Sequence, residues 1–243
     1  MNDKVNGFVL SQSDYKESDV LMQVLTYEYG IISLVGKASK RLDSKNHFLP
    51  MCIYEFMIDY KHGKTIYSIH SSKLIDSYFD DSDIEMISFK NILIEAVLKN
   101  KDINTYQQLC FVFKHLNNNN KYLLGSMFFS YLTKQFGVTP VVDGCAVCGH
   151  KKVVSLSNND GGFVCEKHAN GLNFLPVNRL KKFRLIIKGK FKDYDILKDF
   201  DYDINDFYLI VNFFLANTDL KMKTYEFYKS LSWWKRYSLF YFA

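Results

Sequence analysis

Two pairs of metal-binding residues limit what this chain can fold into more than any other feature of its sequence. Cys145 and Cys148 form a C-x2-C pair, and after sixteen further residues Cys165 and His168 form a C-x2-H pair. Two ligands three positions apart at a tight turn can face the same ion, and two such pairs complete the tetrahedron that a structural zinc ion prefers. The spacing therefore predicts one structural Zn²⁺ per chain, held by these four residues.

Other interpretations of the four ligands are open at this stage. His150 is close enough in sequence to compete with His168 for the fourth position. A redox-active C-x2-C pair belongs in a βαβ setting and needs no second pair, so it is less favoured. A zinc-dependent nucleobase deaminase is also less favoured, because that chemistry places a His-x-Glu and a Pro-Cys-x-x-Cys motif around the metal. Here Gly144 precedes Cys145, and the sequence contains no His-x-Glu.

The composition is that of a folded protein with ordinary cores. Of 243 residues, 48% are apolar, which is enough for two or three modest cores. No apolar run approaches the length of a membrane span, and the N-terminus lacks a signal pattern, so we expect a cytoplasmic protein with no membrane partner. The aromatic tail from Tyr225 to Ala243 bears too much apolar surface to stay solvated, and we expect it to dock on its own domain or on a partner.

The periodicity of apolar residues changes from strand-like to helical near residue 80. The first part shows five short runs rich in β-branched and aromatic residues, with a long polar loop between the third and fourth, which suits a small barrel of antiparallel strands and the OB-fold in particular. The later part shows helical spacing, including helices expected over 176–189 and 204–216. The predicted fold class is α+β, with an OB-fold domain over 1–80 and a mostly helical domain over 81–243 that carries a zinc-binding insertion at 141–175.

The polar loop after the third strand is the first candidate binding site, for nucleic acid. Its cations are Lys37, Lys40, Arg41 and Lys45, with Asp43 as the single acidic residue. The neighbouring strands carry Tyr54, Tyr60 and Tyr67. Cations beside exposed aromatic rings are what single-stranded nucleic acid requires, since phosphates need charge and unstacked bases need a planar surface. The alternative is that the tyrosines pack inside the barrel.

A second concentration of charge lies on the helix expected over 176–189. Between residues 179 and 192 there are seven basic residues and no acidic one, whereas residues 193–206 contain six acidic residues and one lysine. Cations beside an apolar helix face could bind an acidic peptide or lie along duplex phosphate. The candidates for such a partner or DNA site are Arg179, Lys181, Lys182, Arg184 and Lys188. The alternative is two solvated faces of opposite charge.

Short fragments of the first domain occur in the order and spacing of a known family. They are Val9-Leu10, Tyr15, Glu17-Ser18-Asp19, Leu25-Thr26, Gly30, Gly36-Lys37-Ala38, Lys40-Arg41 and Leu49-Pro50. Together with a helical region interrupted by a zinc knuckle, they resemble the bacterial RecO recombination mediators over essentially the full length of the chain. The last zinc ligand is a departure from the family pattern, because His168 stands where some members have a fourth cysteine.

The resemblance implies a protein of DNA repair that is not an enzyme. Such a protein binds single- and double-stranded DNA, anneals strands coated with single-strand-binding protein and, with RecR, helps to load RecA. The resemblance also implies the acidic C-terminal tail of single-strand-binding protein as a partner, RecA as an indirect partner and a location at the nucleoid. A zinc-containing RNA-binding or ribosome-associated OB module is the main alternative, because stacking platforms accept RNA as readily as DNA.

Overall fold

The computed structural model describes residues 3–40, 47–61, 63–80 and 82–231. The chain divides into two compact units: unit 1 comprises residues 1–114 and 222–243, and unit 2 comprises residues 115–221. Residue 80, the predicted domain boundary, marks the change from strand to helix. The boundaries between the two compact units lie at other positions, after residues 114 and 221, because the first helices after the strands are grouped with unit 1.

Unit 1 contains a closed barrel of five strands. They are β1 (Asp3–Tyr15), β2 (Asp19–Thr26), β3 (Gly30–Gly36), β4 (Cys52–Ile58) and β5 (Ile66–Ser77), in the order β1-β2-β3-β5-β4 around the barrel. The predicted OB-type barrel is confirmed, with one correction to its strand directions. β3 and β5 pair in parallel, because a closed ring with an odd number of strands cannot alternate in direction throughout.

Strand β1 is long enough to belong to both sides of the barrel. It pairs with β4 from Asp3 to Phe8 and with β2 from Gly7 to Tyr15. At the crossing there is no space for a side chain, since a Cβ atom on Gly7 would lie 2.3 Å from Val24 Cγ1. Glycine at this position therefore lets one strand bend across the barrel and close it.

Three helices accompany the barrel in the part of unit 1 that the structure describes. They are α1 (Ile84–Leu98), α2 (Tyr106–His115) and a C-terminal helix over residues 223–231. Asp83 caps α1 by accepting hydrogen bonds from the backbone N–H groups of Glu85 and Met86, as N-cap aspartates commonly do. Phe113 of α2 packs edge-on against Phe8 of β1, with ring centroids 4.8 Å apart.

The C-terminal helix docks within unit 1, as expected for the aromatic tail. Tyr225 and Tyr228 are fully buried, and the Tyr228 ring packs edge-on against Phe89 of α1 at 5.7 Å. The expectation is confirmed for this part of the tail. Its later aromatic residues, which include Trp233 and Trp234, lie outside the described residues.

Unit 2 is a helical unit with a small hairpin. Its elements are α3 (Lys121–Gln135), β6 (Ser155–Ser157), β7 (Gly162–Val164), α4 (Val177–Lys188), α5 (Tyr194–Leu197) and α6 (Ile204–Ala216). The predicted helix over 204–216 coincides with α6, and α4 is one residue shorter at each end than predicted because Pro176 and Gly189 are its caps.

Helices α3 and α6 form the centre of unit 2. Phe129 of α3 lies edge-on to Phe207 and Phe214 of α6, with ring centroids 5.9 and 5.5 Å apart. Helix α4 is tied to α3 by a hydrogen bond from Ser130 Oγ to the Ile186 carbonyl. Among the helices that the structure describes, none combines the length and the apolar content needed to cross a bilayer.

Candidate metal centre and nucleic-acid interface

The hairpin of β6 and β7 brings the two ligand pairs together. Residue 141 runs beside β7, where Phe163 N–H donates to the Val141 carbonyl at 2.8 Å. Ala146 N–H in turn donates to the Phe163 carbonyl at 2.7 Å. The approach is close, because a Cβ atom on Gly162 would lie 2.4 Å from the Val141 carbonyl oxygen. The turn that carries the first ligand pair is thereby fixed beside the strand that leads into the second pair.

Each ligand pair is shaped by a tight turn. Gly149 N–H donates to the Cys145 carbonyl at 2.8 Å, and Gly149 itself has a φ of +74°, a conformation that glycine adopts without strain. In the second pair, His168 N–H donates to the Cys165 carbonyl at 2.9 Å. Both turns point their two ligands in the same direction, as the C-x2-C and C-x2-H spacing predicts.

The four ligand atoms outline a site of the size of zinc. All of them lie within 4.8 Å of one another. Cys148 Sγ is 3.8 Å from Cys165 Sγ, and His168 Nδ1 is 3.5 Å from Cys145 Sγ and 3.3 Å from Cys165 Sγ. In a regular tetrahedron with zinc bond lengths of about 2.3 Å to sulfur and about 2.0 Å to nitrogen, two sulfurs are about 3.8 Å apart and a sulfur and a nitrogen about 3.5 Å.

The fourth member of this group is His168 and not His150. His150 is exposed, and its Nδ1 lies 3.3 Å from the Lys152 carbonyl oxygen. The group of Cys145, Cys148, Cys165 and His168 could hold a metal ion. Three sulfurs and one nitrogen are a donor set compatible with zinc.

The surroundings of the sulfurs favour a bound cation. Burial opposes ionisation of Cys145, but the backbone N–H groups of Cys165, Cys148 and Val147 donate to its sulfur and lower its pKa to about 6. At Cys148 the backbone N–H of His150 favours the thiolate, whereas desolvation and the sulfurs of Cys145 and Cys165 outweigh it and raise the pKa. A divalent cation would remove this repulsion between neighbouring sulfurs.

The basic loop after β3 is held against the turn between β1 and β2. Ala38 N–H donates to Asp19 Oδ1 at 2.9 Å, and Lys40 N–H donates to the Ser18 carbonyl at 3.1 Å. The Lys40 ammonium reaches Asp14 Oδ1 at 3.1 Å. Lys40 therefore helps to position the loop. Lys37 is exposed, and it takes part in none of the ion pairs found among the described residues.

The other two predicted loop cations, Arg41 and Lys45, lie outside the described residues. Lys16 is a cation of the same surface that sequence reasoning missed. It is exposed in the β1–β2 turn, and its ammonium lies 5.5 Å from the centre of the Tyr15 ring. In the linear sequence Lys16 is flanked by acidic residues, so it does not belong to a cluster of positive charge. Its position in a turn between two strands is the signal that indicates a binding role, since loops of OB-folds often carry ligand contacts.

The barrel tyrosines support the alternative interpretation. Tyr54 and Tyr67 are buried members of the barrel core. Tyr60 is partly buried and stacks between Tyr29, at 3.9 Å, and Tyr67, at 5.0 Å. These rings therefore fill and close the barrel. Among the described cations of the two loops, Lys16 and Lys37 are exposed to solvent.

Two of the five cations predicted on α4 are paired with acidic residues near α6. Lys182 is buried, forms an ion pair with Asp206 and donates to the Asp201 carbonyl at 2.7 Å. Arg179 donates to Asp203 Oδ2 at 2.8 Å. The prediction of a basic helix with no acidic residue nearby is therefore wrong for Arg179 and Lys182. The acidic segment that follows α4 in the sequence folds back onto it and neutralises these two cations.

Two further α4 cations contact the β6–β7 hairpin or the segment just before the first ligand pair. Arg184 Nε donates to the Val142 carbonyl at 2.6 Å, and its guanidinium lies 5.5 Å from the centre of the Phe163 ring. Lys188 forms an ion pair with Asp143 at 2.5 Å. Lys181 is exposed, and among the five predicted cations it alone takes part in none of the ion pairs or side-chain contacts described for unit 2.

Comparison with known proteins identifies the family of both parts of the chain. Residues 1–78 match the family model described as the N-terminal part of recombination protein O, and residues 86–179 match the model of its C-terminal part. The chain belongs to the RecO family. The resemblance carried by the sequence fragments is thus confirmed, and RecO membership gives the chain a role in DNA repair by recombination.

Relatives that match most of the chain carry the same description. The DNA repair protein RecO of Caldanaerobacter subterraneus is 29% identical over 209 residues, which is 78% of this chain and 81% of the relative. The RecO protein of a Thermoanaerobacter species is 27% identical over 210 residues, covering 81% and 83% of the two chains. The RecO protein of Clostridium perfringens is 27% identical over 191 residues, covering 72% and 77%.

Proposed function

We propose that this RecO-family chain is a recombination mediator that acts without catalysing a covalent reaction. It binds single- and double-stranded DNA, anneals complementary strands and, together with RecR, helps to load RecA on strands coated with single-strand-binding protein in the cytoplasm. The observation that carries the proposal is the surface where the β1–β2 turn meets the β3–β4 loop. There, Lys16 and Lys37 are exposed in sequence-distant loops that hydrogen bonds hold together.

This barrel surface binds strands through phosphate and does not read the sequence. Lysine ammonium groups are point charges that contact any phosphate equally well, and the three tyrosines considered for base stacking, Tyr54, Tyr60 and Tyr67, belong to the barrel core or pack against it. Arg41 and Lys45, which follow in the sequence and lie outside the described residues, are proposed to add to the charge that the strand meets. Lys40 acts differently, since its pairing with Asp14 fixes the loop.

The test is the salt dependence of binding to a fluorescent single strand. Replacing Lys16 and Lys37 by alanine should weaken binding equally for unrelated sequences, and should flatten the log–log salt slope by roughly 0.7 for each phosphate that the variant no longer binds. Lys73→Ala, at an exposed position of β5, is the matched control and should leave the slope unchanged. An unchanged slope in the double variant would remove this surface from the DNA site, and stronger competition by RNA than by DNA would favour an RNA-binding module.

We also propose that the Cys/His group holds one structural zinc ion. Support comes from the four-donor set, which leaves no coordination position open for a substrate. Metal analysis after dialysis against a weak chelator should give close to one equivalent. Cys165→Ser should lower stability markedly, because structural zinc contributes on the order of 10 kcal/mol in small modules. A metal-free wild type that is fully folded would end the idea, and His168→Ala with full zinc content would transfer the fourth position to His150.

A partner site for the acidic C-terminal tail of single-strand-binding protein is proposed on the outer face of α4. With Arg179 and Lys182 paired to acids, the exposed side chains of this helix include Val177, Lys181 and Leu185, at four-residue intervals along one face. Such a stripe offers apolar burial with a positive charge between. Lys181→Glu should weaken binding of the tail peptide, whereas Lys198→Glu should not, and equal affinities in both would leave α4 without this role.

A further inference from the structure

The three cysteines of the metal centre differ sharply in their exposure. Cys145 and Cys165 are 2% and 5% exposed, whereas Cys148 lies at the surface. Cys148 borders an open depression on the solvent side of the ligands, which is lined in part by His150, Lys152 and Lys167. A small reactant in solvent therefore reaches one of the three sulfurs before the other two.

The charges around this depression point to the same residue. Lys152 and Lys167 border it together with Cys148. A ligand thiolate that is exposed beside cationic side chains is the kind of cysteine that oxidants attack first.

We propose that Cys148 is an oxidation site, and that peroxide converts the metal centre into a Cys148–Cys165 disulfide with release of the metal. The inference rests on the proposed zinc site. Its geometric basis is that Cys165 Sγ lies 3.8 Å from Cys148 Sγ, so that only a short movement of the sulfurs is needed once the metal no longer separates them.

The reaction balances with hydrogen peroxide as the oxidant. The Cys148 thiolate attacks one peroxide oxygen, the O–O bond breaks, and hydroxide leaves, which yields a sulfenic acid on Cys148. The Cys165 thiolate then attacks this sulfur, the S–O bond breaks, a second hydroxide leaves, and the disulfide forms. Two thiolates lose two electrons in total and peroxide is reduced to two hydroxides. Cys145 and His168 are left as the only ligands, which is too few to retain zinc.

Oxidation should also make α4 less stable, because several contacts hold the hairpin against this helix. Phe163 packs on Phe183 with ring centroids 5.6 Å apart, and Arg184 bonds the Val142 carbonyl. These contacts depend on the turns that the metal fixes. The oxidised hairpin should therefore lose its protection from hydrogen exchange together with the part of α4 around Phe183 and Arg184.

The experiment uses the full chain with its zinc content measured first. Hydrogen peroxide is added, zinc release is followed with a chromogenic chelator, and the protein is alkylated and digested with trypsin. The expected product is a disulfide between peptide 135–151 and peptide 153–167, with Cys145 alkylated. Cys52 and Cys110 serve as internal controls, since they lie outside the metal centre and should stay reduced at the dose that releases zinc.

Histidine substitutions separate the exposed sulfur from the buried one. Cys148→His keeps four nitrogen and sulfur ligands, and it should slow peroxide-driven zinc release by about tenfold or more. Cys145→His, the matched substitution of a buried ligand, keeps Cys148 and Cys165 and should still form the disulfide between them when peroxide is added. No zinc before oxidation would refute the proposed zinc site alone. Three outcomes would overturn this inference: zinc retained after peroxide treatment, zinc release from Cys148→His as fast as from the wild type, or a Cys145–Cys148 disulfide as the first product. If a variant fails to fold, the peptide map of the wild-type protein decides.

Discussion

Breaking the ion pair between Lys182 and Asp206 is expected to destabilise unit 2 severely, which sets Lys182 apart from the exposed cations. The two side chains are only 9% and 5% exposed. Lys182 also donates to the Asp201 carbonyl, and its ammonium lies 5.5 Å from the centre of the Tyr202 ring. Every contact of this ammonium is thus made inside the protein, and none is available to DNA or to a peptide.

The magnitude follows from what each substitution leaves behind. Asp206→Asn keeps an oxygen that can accept from the Asp203 backbone N–H, a bond of 3.0 Å in the wild type, so the helix cap survives and only the charge is lost. Lys182 then stays buried without an acidic partner, and removal of one member of a buried pair costs about 3–5 kcal/mol. Lys182→Met leaves Asp206 with Arg179, whose Nε is 3.4 Å away, and we expect a smaller loss of about 1–3 kcal/mol.

The assay is chemical unfolding followed by far-ultraviolet circular dichroism, with both single variants and the double variant. The double variant should lose about 2 kcal/mol less than the sum of the two single losses, because the second substitution removes the charge that the first one strands. Lys181→Met is the control for an exposed lysine of the same helix and should change stability by no more than about 0.5 kcal/mol. A Lys182→Met protein as stable as this control, with weakened peptide or DNA binding, would refute the structural role.

Two further predictions concern the C-terminal helix and the metal-binding hairpin. Burial opposes ionisation of Glu95, but hydrogen bonds from Thr224 and Lys223 lower its pKa below the ordinary 4.5. The stabilisation that the Glu95 carboxylate gives to the helix over residues 223–231 is therefore fully present above pH 4.5 and is lost as the pH falls through the lowered pKa. Hydrogen exchange in this helix should rise in acid, and it should rise at neutral pH in Glu95→Gln. Gly162→Ala should weaken zinc retention in a chelator competition, because its Cβ would lie 2.4 Å from the Val141 oxygen; unchanged retention would show that the hairpin can shift at no cost.

The candidate metal centre was predictable because its geometry is local. Two ligands three residues apart face the same way whenever the chain makes a tight turn, and the sixteen residues between the pairs form a hairpin whose own turn signals are visible. The choice of His168 over His150 also follows from local spacing, since His168 repeats the two-residue interval of the first pair. Nothing distant in the sequence had to be known.

The barrel was predictable in outline and not in its closure. Alternating apolar residues and turn signals mark five strands, but the pairing of β3 with β5 joins Ser33 to Ile66 across more than thirty residues. Neither strand carries a local sign of that parallel contact. The burial of Tyr54 and Tyr67 depends on the same closure, which is why aromatic residues beside a basic loop could be taken for a stacking surface.

The charge of a surface is the property that the linear sequence predicts worst. Lys16 stands next to Glu17 and close to Asp14 in sequence, yet folding places it with Lys37 on one exposed surface. Arg179 and Lys182 stand in a run of cations, yet folding neutralises them with Asp203 and Asp206. In both places the deciding neighbour comes from another element.

This redistribution of charge predicts that binding at the two proposed surfaces depends differently on salt concentration. On the barrel, the exposed Lys16 and Lys37 should give DNA binding that falls steeply with salt, because affinity comes from counterion release. On the outer face of α4, Lys181 lies between Val177 and Leu185, so an acidic peptide should bind mainly by apolar burial and lose little affinity as salt rises. Raising the salt concentration should therefore release DNA while the peptide stays bound, and loss of both along the same salt curve would mean that the peptide competes for the barrel cations and that α4 has no part in partner binding.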